Sequence, residues 1–402
     1  MELNSARHRS RGFLTVVIFL LLHVTYTGSV TVPGDENIAA VVRFTNSLVP
    51  PLFQTFSANY TNLVMAPFGL STSLAITMDC VHGESFNEII KLFKLQSKPA
   101  RQQLRTGFKT ILHDFKQATS NDELAGSYNK AFLTSSKMFP TPFIEQLSNT
   151  YLVDVTNNSS LTRNFTTAQI LELRTDTGIM SHWRDYQKLV VFTYLSYSSS
   201  EPFYSHMNKT INVPMIPLIG YFKAGYLPKL ESNGAELLFE NTKVSLLVLM
   251  PDKIDGLNDL QTKLFQENFF EVLDSLPQQE TQILIPQLST VSNNLEFTSM
   301  LKSLGVVSAF SSNLNDKKKR DVFIQSIKQN AFFSTSFTAL NSIGSFITKY
   351  DGKNSSDIQA RKKREAKTKI VFNKPFMFFL IHRESGLILL TGHITQPKLL
   401  PN

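Results

Sequence analysis

The most chemically distinctive stretch of the chain is a basic tetrad near the C-terminus, Arg361-Lys362-Lys363-Arg364. Such a run is a substrate for trypsin-like and furin-like proteases, because their acidic specificity pockets pair with the guanidinium group of arginine. The alternative is a solvated basic loop that any protease cuts, and the residues alone leave both interpretations open. The tetrad indicates a chain on which proteases act.

The sequence lacks the motifs that are typical of catalytic sites. The sequence contains no G-x-S-x-G, H-E-x-x-H, phosphate-binding or dinucleotide-binding motif. Its 8 histidines are scattered without metal-ligand spacing. The single cysteine, Cys80, is close to His82, but near neighbours on a helix do not face each other, so we predict a buried structural thiol. We expect no enzymatic activity, no cofactor and no metal.

The tetrad lies in a long polar connection between two apolar runs. The connection, residues 337–371, is rich in Ser, Asn, Asp, Gly and Lys, which is typical of an exposed, protease-sensitive segment. The runs on either side, 322–336 and 372–382, are predicted strands. Loops longer than about 15 residues are uncommon within a compact domain and are often functional. The pattern predicts a bait-like loop held between two core strands.

The residues after the loop carry a family resemblance. Residues 372–381 read FNKPFMFFLI, residues 385–390 read SGLILL, and Gly392 and Pro397 follow. By themselves they predict two buried strands joined by a polar turn at His382 to Ser385. Their order and spacing resemble the C-terminal signature of the serpins, F-N-(R/K)-P-F-x-F-x-I followed by G-x-I-L-F-x-G and N-P.

The resemblance continues in unbroken order over residues 40–398. Residues 62–67, NLVMAP, predict a short strand that ends at Pro67 and leads into a buried helix. Other similar segments are 213–215, 235–239, 244–251, 285–288, 301–305 and 329–333. The resemblance implies an α+β fold: one large serpin domain with mixed β-sheets, surrounding helices and an exposed reactive loop near the C-terminus.

Several departures from the serpin pattern fall where that family keeps a polar network beneath its main sheet. The family's S-P-x-S is Ala66-Pro67-Phe68-Gly69, and the family's His is Gln329. The buried Asn is replaced by Val191 or Phe192. The Trp that the family keeps at the top of the sheet is also absent, since the only Trp of the chain is Trp183 in an earlier segment. Joint removal of such groups leaves no orphan polar partner, so we expect the fold to tolerate it while the ease of sheet opening changes.

The resemblance also implies a hinge at the start of the loop, at Ala339, Leu340, Asn341 and Ser342. A cleaved serpin loop enters the sheet as a new strand and buries alternate side chains. The inward set would be Leu340, Ser342, Gly344, Phe346 and Thr348. No member is charged, so insertion is permitted. Two members, Leu340 and Phe346, are large enough to slow it.

The position of the scissile bond is ambiguous. Counting forward from the hinge in the family pattern gives Lys353, followed by Asn354, whereas counting back from Phe372 gives Arg364, followed by Glu365. The two counts differ by 364 − 353 = 11 residues, so the loop is longer than the pattern. We favour Arg364 because it ends the basic tetrad, with Lys353 as the alternative.

The N-terminus predicts secretion. Residues 1–29 combine a basic start, an apolar core over 13–22 and small residues, which predicts a signal peptide cleaved near Thr27 to Ser29 and a serpin domain over 30–402. The alternative, an uncleaved membrane anchor, is disfavoured because a bilayer needs about 20 apolar residues. We therefore expect a secreted, extracellular glycoprotein. Its Asn-x-Ser/Thr sites are Asn59, Asn157, Asn158, Asn164, Asn208 and Asn354.

The net charge of +8 and pI near 9.3 allow affinity for polyanions. The charge is spread along the chain without a nucleic-acid-binding motif, so we expect no nucleic-acid partner. Arg101, Arg105 and Lys109 lie four residues apart on one face of a predicted helix, in a region that binds heparin in some serpins. An ordinary solvated face is the alternative. A second, apolar face is predicted to be buried and consists of Leu104, Phe108, Ile111, Leu112 and Phe115.

Two functions follow from the resemblance. The first is a secreted, monomeric inhibitor of extracellular trypsin-like or furin-like serine proteases that acts by loop cleavage and insertion. The second is a non-inhibitory serpin, meaning a decoy substrate, a carrier or a signalling ligand, and the departures at the hinge and beneath the sheet favour it.

Overall fold

The structure is a computed structural model that describes residues 34–92, 100–119, 125–133, 139, 141–157, 170–182, 200–205, 209–238, 244–311, 323–336 and 368–397. At 100, 115–119, 125–133, 157, 170–182, 323 and 336 only the backbone is described. These residues form α-helices and two large β-sheets.

Nine α-helices lie within these ranges. They are α1 Glu36–Asn46, α2 Val49–Phe56, α3 Pro67–Cys80, α4 Gly83–Leu92, α5 Ala100–Thr119, α6 Thr141–Tyr151, α7 Leu257–Leu264, α8 Phe269–Ser275 and α9 Thr298–Ser303. Local chemistry sets several ends: the Asp35 carboxylate accepts a hydrogen bond from Asn37 N at the start of α1, and Pro67 opens α3, where a proline loses no intrahelical bond.

Fourteen strands lie in the same described part of the chain. They are β1 Asn62–Met65, β2 Ala125–Leu133, β3 Val153–Asn157, β4 Ile170–His182, β5 Ser200–Tyr204, β6 Thr210–Leu227, β7 Ser232–Leu238, β8 Val244–Pro251, β9 Gln278–Pro286, β10 Leu288–Glu296, β11 Phe323–Ser336, β12 Thr368–Val371, β13 Phe376–His382 and β14 Leu387–Ile394.

The strands form a five-stranded and a nine-stranded sheet. The five-stranded sheet has the order β10-β11-β4-β2-β3, and the nine-stranded sheet has the order β1-β14-β13-β8-β7-β6-β9-β12, with β5 also paired to β6. Both are mixed: β11 pairs with β4 in parallel, for example, while β10 and β11 are antiparallel. The α+β class predicted from the sequence is confirmed.

Local predictions that rested on strong patterns are also confirmed. The C-terminal hairpin is β13 and β14, joined by a turn in which Gly386 has a φ of 72°, a left-handed conformation that glycine adopts without strain. Strand β1 leads through Ala66 into helix α3, as the NLVMAP segment predicted.

The buried face of β11 crosses two hydrophobic cores. Ile327 packs in a core built mainly from the helices, whereas Ala331 and Phe333 pack in the core of the nine-stranded sheet. The ring of Phe333 stacks on Phe378 of β13 with centroids 4.2 Å apart. Gln329, between these apolar positions and 1% exposed, therefore lies at the boundary of the two cores.

Candidate functional site: the loop ends and the β4–β11 seam

The chain leaves one sheet and enters the other at the two ends of the expected loop. Strand β11 ends at Ser336 in the five-stranded sheet, and β12 starts at Thr368 and pairs in parallel with β9 of the nine-stranded sheet. The last four residues of the segment that the sequence marked as loop, Thr368–Val371, are thus a strand. Residues 337–367 connect the two sheets and lie outside the described residues.

Most sequence-predicted site residues fall in parts that the structure does not describe. The candidates for the scissile bond are Arg364, Glu365, Lys353 and Asn354, and those for the hinge are Ala339, Leu340, Asn341 and Ser342. Val191, Phe192, Trp183, Asn158, Asn164 and Asn208 are outside as well. Among the sequons, Asn59 is exposed and donates from its amide to Thr55 O at 3.3 Å, and Asn157 ends β3.

The described part of the site is the parallel pairing of β4 and β11, which we call the seam. It runs from the pair Phe323 and Ile170 to the pair Ser336 and His182. Helix α3 contacts both β4 and β11. Every residue of the helix is buried except Asp79, whose backbone but not its side chain reaches solvent, as expected for a helix that is apolar all round.

The first polar contact at the seam joins β11 to the start of α3. Gln329 accepts a hydrogen bond from Ala66 N at 2.7 Å and donates one to Ala66 O at 2.9 Å. We call this pair of bonds the Gln329 contact. The hydroxyls missing at Ala66 and Gly69 were expected to leave no polar group without a partner. This geometry agrees, because the Gln329 side-chain amide and the Ala66 backbone satisfy each other.

The second polar contact lies at the other end of α3. Asp79 Oδ1 accepts from Arg105 Nε of α5 at 2.9 Å, and Oδ2 accepts from Tyr151 OH of α6 at 2.6 Å. Gln146 Nε2 of α6 also donates to Oδ2. We call these bonds the Asp79 contact. The Asp79 side chain is 1% exposed, so a buried carboxylate holds three elements together.

Burial dominates the electrostatics of the Asp79 contact. Loss of solvation raises the pKa of Asp79 above its ordinary value, although the hydrogen bonds from Arg105 and Tyr151 oppose that shift. Burial, followed by the charge of Asp79, raises the pKa of Tyr151 well above its ordinary value. The Cys80 thiol is buried, as predicted, and that burial raises its pKa above the ordinary value of a thiol.

The basic face predicted on α5 has internal partners. Arg105 binds Asp79, and Arg101 donates to Val81 O at 2.9 Å while its guanidinium lies 4.2 Å from the centroid of the Phe86 ring. Lys109 is exposed. The opposite face is buried as predicted, at Leu104, Phe108, Ile111 and Leu112.

In the described ranges no group of three or more His, Cys, Asp and Glu side chains is placed to hold a metal ion. None of the described helices is both long enough and apolar enough to cross a membrane.

Comparison with known proteins gives one consistent answer. The family model described as "Serpin (serine protease inhibitor)" matches residues 195–397. Alpha-1-antiproteinase F of Cavia porcellus is 22% identical over 384 residues, covering 91% of this chain and 92% of the relative. Intracellular coagulation inhibitor 1 of Tachypleus tridentatus is 28% identical over 203 residues, covering 48% and 46%.

Solved structures agree on the fold. Native protease nexin-1 with heparin has a TM-score of 0.67 at 17% identity, covering 90% of this chain and 99% of that one. Serpin48 of the insect Tenebrio molitor has a TM-score of 0.66 at 18% identity, covering 92% and 100%. The two mixed sheets, the helices around them and the connection between the sheets define a serpin fold. The chain belongs to the serpin family, whose members are serine protease inhibitors rather than catalysts.

Sequence reasoning missed the Asp79 contact. One signal was present: Asp79 is the single charge in the apolar run Ile76–Val81, and a charge on a fully buried helix must be paired. The identities of its partners carried no local signal, since Arg105 and Tyr151 are 26 and 72 positions away in the chain.

Proposed function

We propose that the chain is a secreted, monomeric inhibitor of trypsin-like or furin-like serine proteases. A protease cuts after Arg364, or alternatively after Lys353, and the freed loop then enters the seam while the acyl-enzyme is still attached. The hinge at Ala339 to Ser342 carries the start of that movement. The family supports inhibition in general, and the protease class rests on the basic tetrad.

One observation carries the proposal: β11, the strand that leads into the loop, pairs in parallel with β4. A strand that turns back from Ser336 would run antiparallel to β11 and, because β4 is parallel to β11, antiparallel to β4 as well. Insertion would replace one parallel ladder with two antiparallel ladders, and antiparallel pairing is slightly more stable per residue. The topology therefore supports a favourable place for the loop.

Secretion rests on the chain's own N-terminus. We propose that residues 1–29 are removed and that 30–402 form the mature serpin domain, with sequons such as the exposed Asn59 available for glycosylation. Expression of the full chain in animal cells, followed by N-terminal sequencing of the protein in the medium, provides the material for the next experiment. It also reports whether cleavage falls near Thr27 to Ser29.

Arg364→Ala is expected to abolish inhibition. Wild-type mature protein incubated with trypsin or a furin-like protease should form a complex that survives denaturing gel electrophoresis, because the acyl bond is covalent. Lys353→Ala is the matched control and should retain the complex. Clean cleavage of the wild type with no complex would contradict inhibition of these proteases. It would favour the non-inhibitory alternative, a decoy substrate, carrier or signalling ligand. The bulky side chains of Leu340 and Phe346, which would slow insertion, agree with that alternative. Loss of the complex in Lys353→Ala but not in Arg364→Ala would assign the scissile bond to Lys353.

Binding of a heparin-like polyanion is a separate proposal with weaker support, because Arg101 and Arg105 already have internal partners. Lys109→Ala is expected to elute from a heparin column at lower salt than the wild type, through the loss of one ionic contact. Lys302→Ala removes the same charge from an exposed position on α9 and is the control. Equal elution of the two variants would contradict a site on α5, whereas a triple alanine variant would be confounded by the release of Asp79.

A further inference from the structure

Helix α3 is held on both sides of the seam. Its first end is tied to β11 by the Gln329 contact. Its last turn is tied by Asp79 to α5 and α6. Helix α6 ends at Tyr151 and leads directly into β3, which starts at Val153 and lies on the β4 side of the seam in the order β11-β4-β2-β3. The two ends of one rigid helix are therefore bonded to opposite halves of the five-stranded sheet.

Opening the seam by one strand must break one of these contacts. Neighbouring strands lie about 4.8 Å apart, so an inserted strand moves the β4-β2-β3 half away from β11 by about that distance. A hydrogen bond weakens steeply beyond about 3.2 Å, and a helix cannot lengthen to compensate. Helix α3 can follow only one half, and the contact with the other half is lost.

We propose that Asp79 is a positioning residue that holds the two halves of the sheet together, and that release of the Asp79 contact is the step that lets the seam open. The Gln329 contact satisfies the backbone N–H of Ala66. A buried backbone N–H always needs a hydrogen-bond acceptor, because it cannot be neutralised by a change of protonation. The carboxylate can take up a proton, and burial raises its pKa, which makes the Asp79 end easier to release. The groups that face it are Arg105 and Arg101 on α5, and Tyr151 and Gln146 on α6.

The test is hydrogen–deuterium exchange of the intact mature protein, without any protease. The Asp79 carboxylate accepts hydrogen bonds from three donors with two oxygens, whereas an asparagine side chain has only one acceptor oxygen. Asp79→Asn therefore weakens the contact without changing the size of the side chain. Amides of β4 and β11 are expected to exchange about tenfold faster in Asp79→Asn than in the wild type, while amides of β13 and β14 change by less than about twofold. Uniform acceleration, or no change at the seam, would overturn the proposal.

Glu88→Gln is the matched control. The Glu88 carboxylate also accepts three hydrogen bonds, from Val307 N and Ser308 N at 2.8 Å and from Ser308 Oγ at 2.7 Å. These donors all belong to one turn, so the Glu88 contact does not span the seam. Its loss should speed exchange at α4 and at that turn only. A seam response equal to that of Asp79→Asn would overturn the role of Asp79.

A second variant keeps the proposal testable if Asp79→Asn does not fold. Tyr151→Phe removes one donor to Asp79 and retains the ring, which packs against Phe108 with centroids 6.0 Å apart. About threefold faster exchange at the seam alone is expected. Combining this variant with Gln329→Leu gives a further check. If α3 connects the two halves, the seam opens when either the Asp79 contact or the Gln329 contact breaks, so the increases in opening rate caused by the two substitutions add. Multiplied fold-changes, which independent sites would show, would overturn the connection through α3.

The role of Asp79 in holding the seam closed rests on the proposed function at one point: the loop is inserted through the open seam. The two are separable because exchange is measured on uncut protein. A selective seam response without a protease complex would reject the inhibitory function and keep the role of Asp79. A protease complex without a selective seam response would do the reverse.

Discussion

Gly392→Ala is expected to prevent stable folding. Gly392 lies in β14 between β13 and β1, opposite Phe378 on one side and Val64 on the other. A Cβ at this position would lie 1.8 Å from Leu63 O and 2.9 Å from Phe378 Cζ. The carbonyl oxygen belongs to a backbone that is paired in the sheet, so it cannot move aside as a flexible side chain would.

The expected cost is at least about 3 kcal/mol, at the upper end of overpacking effects in protein cores. The measurement is soluble yield together with urea unfolding monitored by circular dichroism. Gly34→Ala is the control, because a Cβ on exposed Gly34 would meet no atom within 4 Å. A Gly392→Ala protein as stable as Gly34→Ala would show that β1 does not approach β14 as closely as the structure places it.

Cleavage of the loop at Arg364 is expected to raise the thermal unfolding midpoint of the protein by at least about 10 °C. The loop would fill the seam as a central strand with hydrogen bonds on both sides. For a domain of roughly 370 residues, each kcal/mol of added stability raises the midpoint by about 1.3 °C, so such a shift needs roughly 8 kcal/mol. The measurement compares differential scanning calorimetry of intact and trypsin-cleaved protein. An unchanged midpoint would mean that the cut loop stays outside the sheet.

Two serine variants separate insertion from other effects of cleavage. Ser342 belongs to the set of loop side chains that would face the protein interior, and Ser345 to the opposite set. Ser342→Glu buries an unpaired charge on insertion, so the cleaved variant should lose the rise in midpoint. Ser345→Glu places the same charge toward solvent and should keep the rise. Equal behaviour of the two would contradict insertion as a strand in this register.

The parts of the fold that the sequence predicted are those with short-range patterns. Two continuous apolar runs and a polar turn were enough for the β13–β14 hairpin, and Pro67 after an apolar strand was enough for the start of α3. The helical spacing of the apolar residues on α5 correctly marked its buried face. In each case the residues that interact are near one another in the chain, so their chemistry could be read together.

The seam and its contacts could not be predicted in the same way. The Gln329 contact joins positions 263 apart, and nothing near Gln329 indicates that its amide will meet the Ala66 backbone. The sequence placed Arg105 on a solvent-facing basic surface, since its partner Asp79 is on another helix. Long-range pairing also decides that β11 lies beside β4, which no local periodicity specifies.

The most direct test of the account is a crystal structure of the mature protein after cleavage of the loop at Arg364. We expect a six-stranded sheet in which residues that follow Ser336 form a strand between β4 and β11, antiparallel to both, with Leu340, Ser342 and Gly344 facing inward. We also expect the bonds from Arg105 and Tyr151 to Asp79 to be broken while Gln329 keeps its bonds to Ala66. A cleaved protein in which β4 and β11 remain paired and the loop lies outside the sheet would contradict the account.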